Sequence, residues 1–418
     1  MIDAPHPPRS RSAPCPQGEE GRGEGPLAGV RVLDLTRLLP GPMCTLYLAD
    51  LGADVIKIED VGAGDYARNL GTSPNVRPQR MTAWYRAINR NKRSLAIDLK
   101  NAEGREAFLA LARTADVIVE GFRPGVVKAL GVDYDAVTAV NARIVYCALS
   151  GYGQTGPRAL QAGHDVNYLG YCGVLAHTGA RGGTPVLSNL QIADLLGGAA
   201  SAAIAVLGAL LGAQRNGIGR YIDVAMTDAV LAHEVFALGA LEDEGSVAAR
   251  GEDLLTGGYP CYGVYETSDG RFVAVGALEA KFWQALCDAL DRRDLAAQQF
   301  ARGEQGERVR AALASIFITK TRDEWADRFE DVDCCVTPVL AFDEAIRDPQ
   351  FAARGMIVRG SDGSRQYAPP FSMTPSAFAI TRDAPRLGEH SREVLREAGY
   401  DDEAIDRLND AGSVKTVS

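Results

Sequence analysis

The sequence predicts an α/β fold, with a Rossmann-like, mainly parallel sheet in a large domain and a smaller α+β domain after it. Three observations carry that expectation. From Gly29 onward, short apolar runs rich in β-branched residues alternate with helical patterns, as parallel strands joined by crossover helices do. Near Tyr221 the style changes to a helix followed by a hairpin pattern. The length of 418 residues also exceeds one ordinary core and fits two domains, or one large domain with an insertion.

Taken in order, residues 1–26 are rich in Pro, Gly, Arg and Glu and lack an apolar run, so they read as a disordered extension without a secretory signal. Residues 27–220 form the expected large domain. Val30–Thr36 is its first strand, and Pro40-Gly41-Pro42 opens a helical pattern over Met43–Leu51. Asp54–Glu59 is the second strand, and a strand-like run covers Ser94–Leu99. Ala102–Ala115 has helical periodicity, and Asp116–Phe122 and Arg143–Ser150 are buried strands. Residues 221–340 form the expected small domain, with Tyr259–Glu266 and Arg271–Ala277 joined by the turn Ser268-Asp269-Gly270. Residues 341–418 contain a polar helical stretch, Glu389–Leu408, that can return to the first domain.

Composition narrows the function classes. The net charge of −10 offers no basic field for nucleic acid, so cations for an anionic ligand must cluster locally. Eight scattered cysteines argue against a disulfide scaffold, and five histidines without metal-ligand spacing argue against a structural zinc. Leu195–Ala213 carries no charge but is rich in Ala and Gly, which favours a buried or interface helix over a membrane span. The expectation is a cytoplasmic protein with no nucleic-acid or membrane partner.

Several motifs bear on chemistry. Gly151, Gly153 and Gly156 match a dinucleotide fingerprint, but Pro157 follows and no acidic residue closes a second strand where that fingerprint needs one. A loop that lets backbone approach a ligand is the better reading. Arg90, Lys92 and Arg93 place three cations in four residues; such a run is either a solvated turn or a phosphate site. His164 and Asp165 follow the glycine loop, and Asp194 opens the Ala/Gly-rich helix. Asp165 can be an ordinary helix cap. Asp194 can simply complement the macrodipole, which would also hold it ionised.

These motifs, with LAGVRVLDLT, DLGADVIKIE, NRNKRS, EGFRPGV, GYGQTGP and PRLGEHSREVL, make residues 27–400 resemble the class III CoA-transferase family throughout. GHDVNYL followed by IADLLGG is similar to its α-methylacyl-CoA racemase branch. The resemblance implies His164 and Asp194 as catalytic residues and Glu279, in VGALE, as a supporting glutamate. It also places Asp165 on the aspartate that transferase relatives use as nucleophile. Arg37, Arg90, Lys92, Arg93, Gly151 and Gly153 are the implied CoA-binding positions. Where the branch carries DGGAPFY, this chain has Thr256 through Tyr262 as TGGYPCY, losing the Asp and gaining bulk at Tyr259.

The implied chemistry needs no metal and no cofactor beyond the CoA part of an acyl-CoA substrate. Moving a proton from one face of the α-carbon to the other needs two bases, one neutral and one protonated at the start. His164 and Asp194 supply such a pair, facing each other across a cleft near the Gly151–Gly156 loop, with a backbone N–H near Asp165 for the enolate oxygen. The alternative is CoA transfer between carboxylic acids through an anhydride at Asp165. Family members form interlocked homodimers, which would bring Glu279 of the second domain toward His164 of the first.

Overall fold

The structure is a computed structural model that describes residues 25–70, 81–374 and 378–417. The expected extension lies outside the described residues up to position 24. Six strands form the parallel part of a large sheet: β1 (Arg31–Leu35), β2 (Asp54–Glu59), β3 (Lys92–Ile97), β4 (Val117–Glu120), β5 (Val145–Ser150) and β6 (Arg220–Ala225). Their order is β3-β2-β1-β4-β5-β6, so the sheet winds outward in both directions from the β1/β4 pair. That order belongs to doubly wound sheets, whose ligands bind beyond the carboxyl ends of the strands where the direction reverses.

Both faces are covered, which is why these strands read as nearly continuous apolar runs. Val32, Val117, Val119, Val145 and Cys147 point to one core, shared with Leu48 and Val206 of flanking helices. Leu33, Ile56, Ile118 and Tyr146 point to the other, with Phe108, Leu111, Val394 and Leu408. The long helical segment Ala193–Asn216 is, among the described residues, the one helix long and apolar enough to cross a membrane. Here Ala199, Ala202, Val206, Ala209 and Ala213 line the first core, while Ile204 and Leu211 on its other side are exposed.

A second, antiparallel sheet holds β7 (Tyr262–Glu266), β8 (Phe272–Gly276) and β9 (Val336–Pro338). It has its own core around Trp283, Leu286, Phe317 and Trp325. After a short hairpin of β10 (Ile357–Arg359) and β11 (Arg365–Tyr367), the chain returns to the large sheet. Helices Ser391–Glu397 and Asp402–Asp410, divided at Gly399, pack there, and β12 (Val414–Lys415) pairs antiparallel with β3.

Two local expectations need correction. The stretch from Tyr221 is strand, not helix, through Ala225; the helix begins at Met226. As the edge strand beside β5, β6 buries Val224 while Tyr221 and Asp223 stay exposed, so its pattern merges with that of the amphipathic helix after it. The third strand starts at Lys92 instead of Ser94, and its two leading cations are buried.

Candidate active site

A cleft of about 750 Å³ opens at the carboxyl ends of β1, β4 and β5, where Leu35, Gly121, Leu149 and Ser150 form part of its wall. This volume falls within the range of roughly 300–1,000 Å³ common for small-molecule sites. His164, Asn167, Tyr168, Asp194, Arg37 and Arg123 line it as well.

His164 sits at the end of the loop leaving β5, as the extended residue (φ −130°) before the helix Asp165–Tyr171. Its backbone is held at both ends. The N–H donates to Asn167 Oδ1 at 3.0 Å, and the carbonyl accepts from the N–H groups of Asn167 and Tyr168. His164 is exposed and lines the cleft. Tyr168 fastens the loop by donating its hydroxyl to the Gly163 carbonyl at 2.5 Å. Gly151 is glycine because a Cβ there would lie 2.3 Å from the Tyr168 ring. Gly153 does not line the cleft; its left-handed φ of 81° turns the loop against Ala225.

Asp194 is the second residue of a π-helical turn, Ala193–Ala200, that runs on into the helix Ser201–Asn216. Such wide turns are uncommon and concentrate at functional sites. The turn can lie close to its neighbours because Gly197 and Gly198 follow. A Cβ on Gly197 would meet the Met226 carbonyl at 2.7 Å, and one on Gly198 the Pro40 ring at 2.8 Å. Burial pushes the Asp194 carboxyl up to about 6; nearby Asp165 pushes the same way and His164 partly offsets both. Asp165 is turned aside. Its Oδ1 accepts the Asp194 N–H at 3.0 Å, and it lines an adjoining cavity of about 210 Å³ with His164, Leu169, Leu175 and Val186.

Among the implied CoA-binding residues, Arg37 reaches the cleft and the cation run does not. The Arg37 guanidinium lies between two rings, 5.4 Å from the Tyr66 centroid and 5.2 Å from that of Phe122, and donates to the Tyr66 hydroxyl at 3.1 Å. Arg123, not singled out from the sequence, stands exposed beside Phe122 at the end of β4. Its only signal was its place in EGFRPGV, directly after a buried strand. Neither arginine has a carboxylate partner among the described residues.

Arg90, Lys92 and Arg93 must be corrected as phosphate ligands. Arg90 pairs with Asp50 at 2.5 Å, and Lys92, fully buried, pairs with Asp34 at 3.1 Å. Arg93 pairs with Asp54 at 2.6 Å and with Glu393 and Glu397 at 2.8 and 2.7 Å. Asn91, left-handed at φ 60°, makes the turn that leads into β3. Within the strand the two cations then alternate between opposite faces, each toward its own acidic partners. Burial lowers Lys92 to about 8, although Asp34 opposes the shift.

Glu279 precedes the helix Ala280–Ala289 of the smaller unit and does not line the cleft of its own chain. Tyr259 is buried in that unit's core, edge-on to Phe300.

Residues 27–391 match the family described as CoA-transferase family III. The chain is 35% identical to human alpha-methylacyl-CoA racemase over 92% of its length and 96% of the relative's. It is also 31% identical to human succinyl-CoA:glutarate CoA-transferase, over 93% and 90% respectively. The crystal structure of a CAIB/BAIF family protein from Brucella suis superposes with a TM-score of 0.79 at 29% identity, covering 90% of this chain and 100% of that one. With a family-wide match, full-length relatives and a shared fold, the chain belongs to CoA-transferase family III.

Proposed function

We propose that this chain racemises 2-methyl-branched acyl-CoA thioesters by moving the α-proton between two bases. The observation that carries the reading is that His164 and Asp194 line one cleft that Asp165 does not, Asp165 lining an adjoining cavity whose wall also includes His164. Neutral His164 takes the α-proton, and the C–H electron pair moves into the thioester carbonyl to form an enolate. Protonated Asp194 then returns a proton to the opposite face, and the reverse passage restores the pair. The N–H groups of Asp165 and Val166, which open the Asp165–Tyr171 helix ahead of those that bond the His164 carbonyl, are the donors for the enolate oxygen. A carboxyl near 6 suits this work, because both of its forms are populated close to neutral pH. Arg37, Arg123 and the rings of Tyr66 and Phe122 suit the phosphates and base of CoA. No cofactor beyond that CoA is required.

A second reading, CoA transfer through an anhydride at Asp165, draws support from the transferase relatives. One experiment separates the two. The enzyme is incubated with several 2-methylacyl-CoAs in deuterated water, with and without a free carboxylic acid, and the products are read by mass spectrometry. Racemisation puts deuterium on the α-carbon without any acceptor acid. Transfer of CoA to the added acid with no label overturns the proposal. We further propose a homodimer in which Glu279 of one copy supports the site of the other; a fully active monomer by light scattering contradicts it.

A further inference from the structure

The loop that carries Arg37 into the cleft is held tightly on both sides of that residue. Thr36 is almost fully buried, and both its N–H and its hydroxyl donate to Asp34 Oδ1. Leu38 has a left-handed backbone, φ 64°, which is strained for a residue with a side chain and persists only where surroundings enforce it. The enforcing contacts come from two fully buried, opposite charges. Lys57 Nζ donates to the Thr36 carbonyl at 3.0 Å, on one side of Arg37. Asp65 Oδ1 accepts the Leu38 N–H at 3.0 Å, on the other side. Lys57 and Asp65 then pair with each other at 2.9 Å.

Asp65 also sets the ring beside Arg37. It caps the single turn Tyr66–Arg68 by accepting the Ala67 N–H at 2.9 Å, and its own N–H donates to Glu59 Oε1 at 3.0 Å. Tyr66, the next residue, holds Arg37 through its ring and hydroxyl. One ion pair therefore ties together the backbone on either side of the cleft's arginine and the aromatic ring that aims it. The pair faces Asp34 and Lys92 from the adjoining strands and Glu59 from the strand of Lys57 itself.

We infer that the buried Lys57–Asp65 pair is a positioning device for ligand binding, holding the Thr36–Leu38 loop and Tyr66 so that Arg37 meets an anionic group of the ligand. The inference rests on the proposal that the cleft takes an acyl-CoA, and the test keeps the two apart. The full-length protein, as wild type, Lys57→Met/Asp65→Asn, Arg37→Gln and the combined triple variant, is titrated with CoA by calorimetry and assayed for turnover. Removing both charges together avoids leaving one of them buried alone. The pair variant should weaken CoA binding and raise KM about tenfold, the scale of one charge-assisted hydrogen bond, with kcat changed much less. In the Arg37→Gln background the same pair substitution should change binding little, because the pair acts through Arg37. A purely structural pair would lower the melting temperature while leaving CoA affinity unchanged, or would add fully to Arg37→Gln; either result overturns the inference. If wild type itself binds no CoA, the reading of the cleft fails instead. Should the pair variant not fold, Leu38→Gly relieves the strained backbone, and its effect on affinity must likewise shrink when Arg37 is already Gln.

Discussion

Two cation-bearing regions follow the same sheet, and they behave in opposite ways. The Arg90–Arg93 run is the densest local positive charge in that part of the sequence, yet Asp50, Asp34, Asp54, Glu393 and Glu397 absorb all three of its cations. Arg37 and Arg123 are isolated in sequence, separated by 86 positions, and come together in one cleft with only aromatic and hydroxyl partners among the described residues. Charge density along a chain is therefore a poor guide to charge available for a ligand. What decides is whether acidic side chains from neighbouring strands and helices reach the cation first.

Lys92→Met leaves Asp34 in a fully buried site with its nearest cation gone, and losing one partner of such a pair costs about 3–5 kcal/mol. Denaturant unfolding should show that loss. A stable Lys92→Met protein with raised KM for the acyl-CoA would move Lys92 back to the ligand side. Arg123→Gln should do the reverse. Its stability should stay within about 0.5 kcal/mol of wild type, as for an exposed residue with no buried partner, while KM rises and becomes less sensitive to salt.

A smaller effect concerns the two aspartates. Burial, and then the nearby Asp165, hold the Asp194 carboxyl near 6, so in the direction that uses Asp194 as base the rate should rise with pH through that value. Asp165→Asn removes a like charge but keeps an amide oxygen for the Asp194 N–H. The acid limb of the kcat/KM profile should then move to lower pH, with substantial racemisation retained. Complete loss of activity in Asp165→Asn, with a trapped acyl adduct on wild-type Asp165 after hydroxylamine treatment, would favour the transferase chemistry.

Much of the sheet was legible because its strands are buried on both faces. Asp54–Glu59 is strand over its full expected range, and β1, β4 and β5 fall within the expected runs. The edge strand β6 was missed because exposure on one side gives it mixed polarity, and β9 because three residues carry little periodicity. Strand order was not legible, since it depends on which crossovers pack together. His164 and Asp194, singled out through the resemblance, line one cleft, and that shared cleft is a property of the fold. The π-helical turn at Asp194, the bond from the Asp194 N–H to Asp165 and the clip on Leu38 depend on close approaches between distant segments, which no local pattern encodes.

If His164 and Asp194 serve opposite faces of one carbon, each alone still exchanges the proton on its own face. His164→Ala and Asp194→Ala are each incubated with the separate R and S forms of a 2-methylacyl-CoA in deuterated water. Racemisation should fall by about 10²–10⁴ in both variants, the usual range for a positioned proton-transfer group. Each variant should still exchange the α-proton of one enantiomer, and the two variants should retain opposite enantiomers. Retention of the same enantiomer by both, or racemisation at the wild-type rate in either, would contradict a two-base site in this cleft.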